Sequence, residues 1–391
     1  MMSRRGFLSS IGGTLAVLGL AGCSGRENGN VATGGSNGSA ASGSSSVVGG
    51  VETDMTTSEI GSAEAKTAEE AGTVESDDGL REIVQMDQPD WSQGDYSHVS
   101  PDPADVQGTV LTASPAPNQQ QRLFLWEEGK APAATSDNGS GHDPQGFRPT
   151  VTSVPVASGV DVKGAVLLCA GGAFAVRGDN SDCYPTARVL ARRGYQCFVV
   201  DYRLHPYTQA ESGLDLARAI RFVRAHWQEF GLPSERHIAV GGYSAGGILC
   251  GETILNQGGS HSPAEVDSSY VPDELDAVDA TAYADAMLYS FYGRLSVAEK
   301  SADVLHGGNC PPTYFCYGTE DPFYDQFEGQ VDLMNSLGYT VRARVLDGWP
   351  HGFGAEGGWI PEFDDFMQDA FVMAAEGRRA WRLAPCSRAA S

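Results

Sequence analysis

Ile238-Ala239-Val240-Gly241-Gly242-Tyr243-Ser244-Ala245-Gly246-Gly247 decides how this chain is read. Ile238–Val240 is an apolar run that predicts a strand, and Ala245 to Leu255 predicts a helix. Between them, Gly242-Tyr243-Ser244-Ala245-Gly246 has the form G-x-S-x-G, a strand-to-helix turn that exposes one serine at a sheet edge. So tight a turn would drive neighbouring side chains into the backbone, which is why glycine flanks it. The helix that follows points its partly positive N-terminus at the serine. The pattern alone is weak. Gly34-Gly35-Ser36-Asn37-Gly38 matches it too, with neither strand before it nor helix after it. Context makes Ser244 the candidate nucleophile.

Outward from this turn, short apolar runs alternate with helical stretches. Val166–Cys169, Gln196–Asp201, Met287–Tyr292, Thr313–Tyr317 and Val341–Val345 predict strands. Helices are expected over about 184–193, Leu214–Phe230, Phe327–Leu337 and Phe363–Glu376. Gly194, Gly231 and Gly338 close the first three. This alternation predicts an α/β fold with a doubly wound, mostly parallel sheet. One catalytic domain is expected over 120–380, with a tail at 381–391.

The 391 residues carry 26 Lys+Arg against 50 Asp+Glu, a net charge of −24. That balance argues against nucleic acid and against a polybasic membrane-surface protein, since both need clustered Lys and Arg. Residues 24–50 hold eight of the 49 glycines and seven serines, and residues 24–80 carry a net charge of −8. Such a segment cannot bury enough apolar surface to offset its ordering entropy. It predicts a disordered linker over 24–115, Gly/Ser-rich and then acidic.

Residues 1–23 read as an address. Arg4 and Arg5 precede an apolar stretch from about Ile11 to Leu20. That stretch is shorter than the ~20 residues needed to span a bilayer. Ser3-Arg4-Arg5-Gly6-Phe7-Leu8 resembles a twin-arginine export signal, and Leu20-Ala21-Gly22-Cys23 resembles a bacterial lipobox. Together they predict lipidation of Cys23 and anchoring at the outer face of the cytoplasmic membrane.

A serine nucleophile needs a base. Of the eight histidines, His351 lies in Trp349-Pro350-His351-Gly352-Phe353-Gly354, just after a predicted strand. A loop at the carboxyl edge of the sheet is where an α/β site forms. The base needs a carboxylate to orient it. Asp321, in Gly318-Thr319-Glu320-Asp321-Pro322, follows the strand Thr313–Tyr317, with Glu320 and Asp325 as alternatives. The chain order Ser244, Asp321, His351 is the one expected on this architecture. An oxyanion hole is predicted from the backbone N–H groups of Gly172, Ala173 and Ala245. Among Gly171, Gly172 and Ala173 the residues alone do not choose the donor. No metal or other cofactor is called for, because Cys and His show no paired zinc spacing.

With these residues in place, the chain from about Leu123 to Gly377 resembles the α/β-hydrolase esterases of the acetylxylan/feruloyl-esterase-like group, related to the hormone-sensitive-lipase-like esterases. Phe124-Leu125-Trp126-Glu127-Glu128-Gly129 is similar to their entry motif and Cys169-Ala170-Gly171-Gly172-Ala173-Phe174 to their oxyanion segment. Asp201-Tyr202-Arg203-Leu204 with Pro206, and Gly242-Tyr243-Ser244-Ala245-Gly246-Gly247, are similar to two further motifs. The resemblance implies a serine carboxylic-ester hydrolase acting on small-molecule or glycan esters with short acyl groups, often acetyl. Ala170, Ala173 and Phe174 stand where the group usually has Pro, Gly and Tyr, and the Ala173 methyl is expected to narrow the acyl pocket. Loops at 175–184, 258–282 and 293–309 are expected to shape that pocket.

Two rival readings remain. A peptidase of the prolyl-oligopeptidase type would use the same three residues, but the chain lacks room for that group's propeller domain. A non-catalytic surface lipoprotein that binds glycans would usually have lost one of them. With Cys23 lipidated, seven cysteines remain, so at least one is free or bridges another chain. Cys310 and Cys316 flank an extended run, too far apart to pair with each other.

Overall fold

The computed structural model describes residues 72–75, 80–87, 105–136, 141–308 and 310–377, and among these described residues there are thirteen strands and six α-helices. The strands are β1 (Gly72–Glu75), β2 (Arg81–Gln85), β3 (Val106–Thr109), β4 (Arg122–Phe124), β5 (Thr150–Val154), β6 (Gly164–Cys169) and β7 (Tyr195–Asp201). They continue as β8 (Ile238–Tyr243), β9 (Ala284–Leu288), β10 (Gly293–Arg294), β11 (Val297–Ala298), β12 (Thr313–Gly318) and β13 (Val341–Leu346). The helices are α1 (Cys183–Arg192), α2 (Gln209–Ala225), α3 (Ala245–Glu252), α4 (Ala302–Gly307), α5 (Tyr324–Ser336) and α6 (Trp359–Ala375).

Eleven strands form one sheet in the order β1-β2-β13-β12-β9-β8-β6-β7-β5-β4-β3, and β10 and β11 form a separate hairpin. From β2 through β7 every neighbouring pair is parallel. Every residue of β6, β8, β9 and β12 is buried, which is why these strands read as near-continuous apolar runs rather than alternating ones. From β6 the chain steps outward to β7, then returns to place β8 on the other side of β6. The reversal opens a crevice at the carboxyl ends of β6 and β8. In that register Cys169 lies opposite Gly242, and Tyr243 opposite Leu288.

Helix α2 starts five residues before the predicted Leu214. Thr208 and Glu211 form a reciprocal capping box that fixes its true start. Three arginines on α2, spaced three apart, fasten the segment between α3 and β9. Arg218 reaches Asp273 and Asp276, Arg221 the carbonyls of Val278 and His261, and Arg224 those of Asp279 and Thr281. Strand β9 ends at Leu288, earlier than the predicted Tyr292, because Tyr289 turns into the left-handed region at φ +41°.

The linker expected over 24–115 is corrected where it meets the described residues. β2 pairs in parallel with β13, Val84 is fully buried, and Arg81 bridges Glu328 and Asp332 on α5. β3 pairs with β4, and Val110 joins the core. A strand with one buried side chain and a charge at its start is too weakly patterned to stand out from an acidic segment. The leader, Cys23, most of the linker and the 381–391 tail lie outside the described residues. Cys169, Cys183, Cys197, Cys250, Cys310 and Cys316 are all free and buried, small apolar packing groups rather than a framework. Among the described residues no helix is long and apolar enough to cross a membrane.

Candidate active site

Ser244 sits between β8 and α3 with φ +51° and ψ −118°, a conformation that an L-residue holds only under constraint. Two glycines make the constraint possible. A Cβ on Gly242 would lie 2.3 Å from the Gly246 backbone, and one on Gly246 would lie 2.0 Å from the Cys169 carbonyl oxygen. The serine's backbone N–H donates to the Leu288 carbonyl, and the Ser290 hydroxyl donates to the Ser244 carbonyl at 2.7 Å. The turn is thereby tied to β9.

The Ser244 Oγ lies 2.9 Å from His351 Nε2, and His351 Nδ1 lies 2.6 Å from Asp321 Oδ2. Asp321 Oδ1 accepts the Phe323 N–H at 2.9 Å, so both carboxylate oxygens are engaged, and its side chain is fully buried. Glu320 and Asp325 are exposed, and the geometry selects Asp321 among the three. The loops that carry acid and histidine are stitched together. Thr319 N–H reaches the Leu346 carbonyl, Glu320 N–H the Trp349 carbonyl, and Gly348 N–H the Thr319 hydroxyl. The His351 ring is packed edge-on by Tyr289 and Phe323, at centroid distances of 4.8 and 5.9 Å.

The segment after β6 turns sharply, with φ +137° at Gly172, +56° at Ala173 and +54° at Phe174. Gly171 is removed as an oxyanion donor because its N–H donates to Asp182 Oδ2 at 3.0 Å. The N–H groups of Gly172 and Ala173 carry no such partner among the described residues. That of Ala245 opens α3, where the first turn of a helix has no internal acceptor. The Tyr202 hydroxyl donates to the Ala170 carbonyl at 2.7 Å and holds the segment from below. In the same motif Asp201 accepts from Thr150 and Arg122. Arg203, only 2% exposed, pairs with Asp215 at 2.9 Å. Asp201-Tyr202-Arg203 is thus a structural clamp beneath the site.

A small cleft of about 10 Å³, open to solvent, adjoins Ser244 and His351. Its apolar wall is Ile248, Phe291, Leu295 and Phe323. Ala173 does not line it, so the expected narrowing by its methyl is not what limits the pocket. Of the three loops expected to shape it, only 293–309 contributes, through the tip of the β10–β11 hairpin. The 258–282 loop instead borders a separate cavity with Ile254, Leu255, Gly307 and Gly308. The pattern missed Phe291 and Phe323 because each follows a strand end by a few residues, where apolar side chains read as ordinary core. Among the described residues no group of three or more His, Cys, Asp or Glu could hold a metal ion.

Residues 166–355, just under half of the chain, match the Abhydrolase_3 family, described as an alpha/beta hydrolase fold. No curated protein sequence matches the chain. Among solved structures, an acetyl ester-xyloside bifunctional hydrolase from Caldicellulosiruptor lactoaceticus is similar, at 20% identity and a TM-score of 0.49. The match covers 66% of this chain and 96% of that one. A thermophilic esterase from Thermogutta terrifontis is similar at 19% identity and a TM-score of 0.43, over 62% of this chain and 92% of that one. The fold is the α/β-hydrolase fold: a mostly parallel sheet, helices on its faces, and a serine turn at the crevice where strand order reverses.

Proposed function

We propose that the chain is a serine carboxylic-ester hydrolase that works through an acyl-enzyme. One observation carries the reading: the hydrogen-bonded series Ser244 Oγ, His351 Nε2, His351 Nδ1, Asp321 Oδ2, in that chain order at the carboxyl edge of the sheet. His351 takes the Ser244 proton as Oγ attacks the ester carbonyl. The N–H groups of Gly172, Ala173 and Ala245 receive the developing oxyanion. His351 then returns the proton to the leaving alcohol. Water, deprotonated by the same imidazole, attacks the acyl-enzyme and frees the acid and the serine. Asp321 holds the imidazole in the required tautomer and stabilises its cation. The chemistry calls on no metal.

The pocket walled by Phe291, Leu295 and Phe323 favours a short acyl group, and the esterase-like motifs favour an acetylated carbohydrate as substrate. The leader motif supports export and attachment at the outer face of the cytoplasmic membrane through lipidated Cys23. The test is hydrolysis of p-nitrophenyl acetate against an aminoacyl-nitroanilide, with Ser244→Ala as control. Ester turnover abolished by the substitution supports the proposal. Nitroanilide turnover alone would replace it with a peptidase, and inactivity on both with retained glycan binding would replace it with a binding protein.

A further inference from the structure

The oxyanion segment and the histidine loop are far apart in the chain, yet one pair of side chains joins them. Asp182 Oδ2 accepts the Gly171 N–H at 3.0 Å, and Asp182 Oδ1 accepts the Tyr289 hydroxyl at 3.1 Å. That hydroxyl in turn accepts the Gly354 N–H at 3.3 Å, three residues beyond His351. The Tyr289 ring lies edge-on to the His351 ring and to Phe353, at 4.8 and 4.7 Å. Contact between the two loops is also direct, since a Cβ on Gly354 would lie 2.4 Å from the Ser181 carbonyl oxygen.

Neither residue is where its local structure would put it. Asp182 occupies the N-cap of α1 but makes no capping hydrogen bond, so its carboxylate is turned away from the usual task of that position. Tyr289 holds φ +41°, a costly conformation for a non-glycine residue, and its N–H is pinned to the Cys316 carbonyl at 2.7 Å. Both are buried, at 7% and 2% exposure. Burial also pushes the Tyr289 phenol well above its ordinary pKa, which keeps it a proton donor to the carboxylate.

We infer that Asp182 and Tyr289 are positioning residues, which fix the oxyanion donors and the His351 ring as one unit around Ser244. The inference rests on the hydrolase reading above. Binding Gly171 N–H anchors the turn whose next two N–H groups have no acceptor among the described residues. Loosening it costs the alignment that a transition-state oxyanion needs more than a ground-state ester does.

The test measures kcat and KM for p-nitrophenyl acetate, expressed per serine titrated to completion with diethyl p-nitrophenyl phosphate, alongside Tm. Asp182→Ala is expected to lower kcat about 10- to 100-fold with KM within about twofold of wild type, the scale of a misaligned oxyanion donor. Asp182→Asn keeps an acceptor for Gly171 and is expected to recover most of the rate. Tyr289→Phe keeps the ring against His351, removes only the bridge, and is expected to lose about 10-fold or more in kcat, on the scale of one hydrogen bond to a charged acceptor. It also answers the question should the alanine variant fail to fold. Unchanged kcat per titrated serine in Asp182→Ala or in Tyr289→Phe overturns the inference, as does a loss confined to KM or to Tm. Absence of ester turnover in the wild type overturns the hydrolase reading itself, and is told apart because it precedes any variant.

Discussion

Asp285 offers a test of the energetics that is independent of catalysis. It sits in the middle of the sheet on β9, wholly buried and with no cation beside it, and the Tyr292 hydroxyl and Ala286 N–H offset that burial only in part. Burial pushes its carboxyl up to about 7. The surrounding titratable groups, Tyr292, Cys310 and Cys250, are themselves pushed up by burial and stay neutral, so no cation compensates a charge there. In the unfolded chain the same carboxyl titrates near ~3.9. Between those two values the folded state holds a proton that the unfolded state has lost. Stability from this group is therefore full below about pH 4 and falls as pH rises toward 7. A displacement of about three units corresponds to about 4 kcal/mol lost by pH 8, at ~1.4 kcal/mol per unit. Asp285→Asn replaces the neutral acid with an amide of the same shape that does not ionise. The variant should match wild type at pH 4 or below, pull ahead of it from there upward and exceed it by several kcal/mol at pH 8, read from urea midpoints across that range. Parallel pH profiles for the two proteins would refute the reasoning, because they would mean that the carboxylate is solvated or paired when the protein is folded.

Four further outcomes follow from the packing. Removing Arg218, which is 1% exposed and bridges Asp273 and Asp276, leaves Asp276 buried without its closest cation. Arg218→Ala should cost about 3–5 kcal/mol in chemical denaturation and open the 259–281 segment to proteolysis. Gly242→Ala drives a Cβ into the Gly246 backbone and should abolish activity or soluble expression. Gly329→Ala, on α5 with open space around the added methyl, should raise stability by about 0.5–1 kcal/mol in thermal melts. Phe323→Ala and Leu295→Ala, which remove pocket wall, should raise the butanoate-to-acetate ratio of kcat/KM by about tenfold in p-nitrophenyl ester assays.

What the sequence reveals about this molecule follows from how local each signal is. The strands β6, β7, β8 and β12 stand out because strands buried on both faces are apolar at most positions, and β13 through Val341, Ala343 and Val345 alternating with its arginines. Ser244, Asp321 and His351 stand out because each sits near a strand's carboxyl end with glycine or proline within two residues, a context that survives in one dimension. β2 and β4 are short, half-buried and marked by only one or two apolar residues, so their place in the sheet depends on partners far along the chain. Asp182 and Tyr289 carry no signal of their own. An aspartate before a helix reads as an ordinary cap, and a tyrosine within a predicted strand reads as core; only the fold reveals that they meet. The pocket wall escapes for the same reason, since Phe323 and Phe291 come from different loops and meet edge-on at 6.2 Å.

The docking of β2 has a mechanical consequence. Its residues pair along β13, the Trp349 indole donates to the Met86 carbonyl at 3.2 Å, and Arg344 reaches the Met86 sulfur. The strand and the tryptophan that lead into the His351 loop thus lean on a segment nearly forty residues upstream of the first motif with a family likeness. A version trimmed to begin at Leu123 would strip β13 of its outer neighbour. It would leave an unpaired edge beside Val345 and Leu346, ready to recruit strands from other molecules. For cloning, for truncation and for any tether, the molecule begins at or before Arg81.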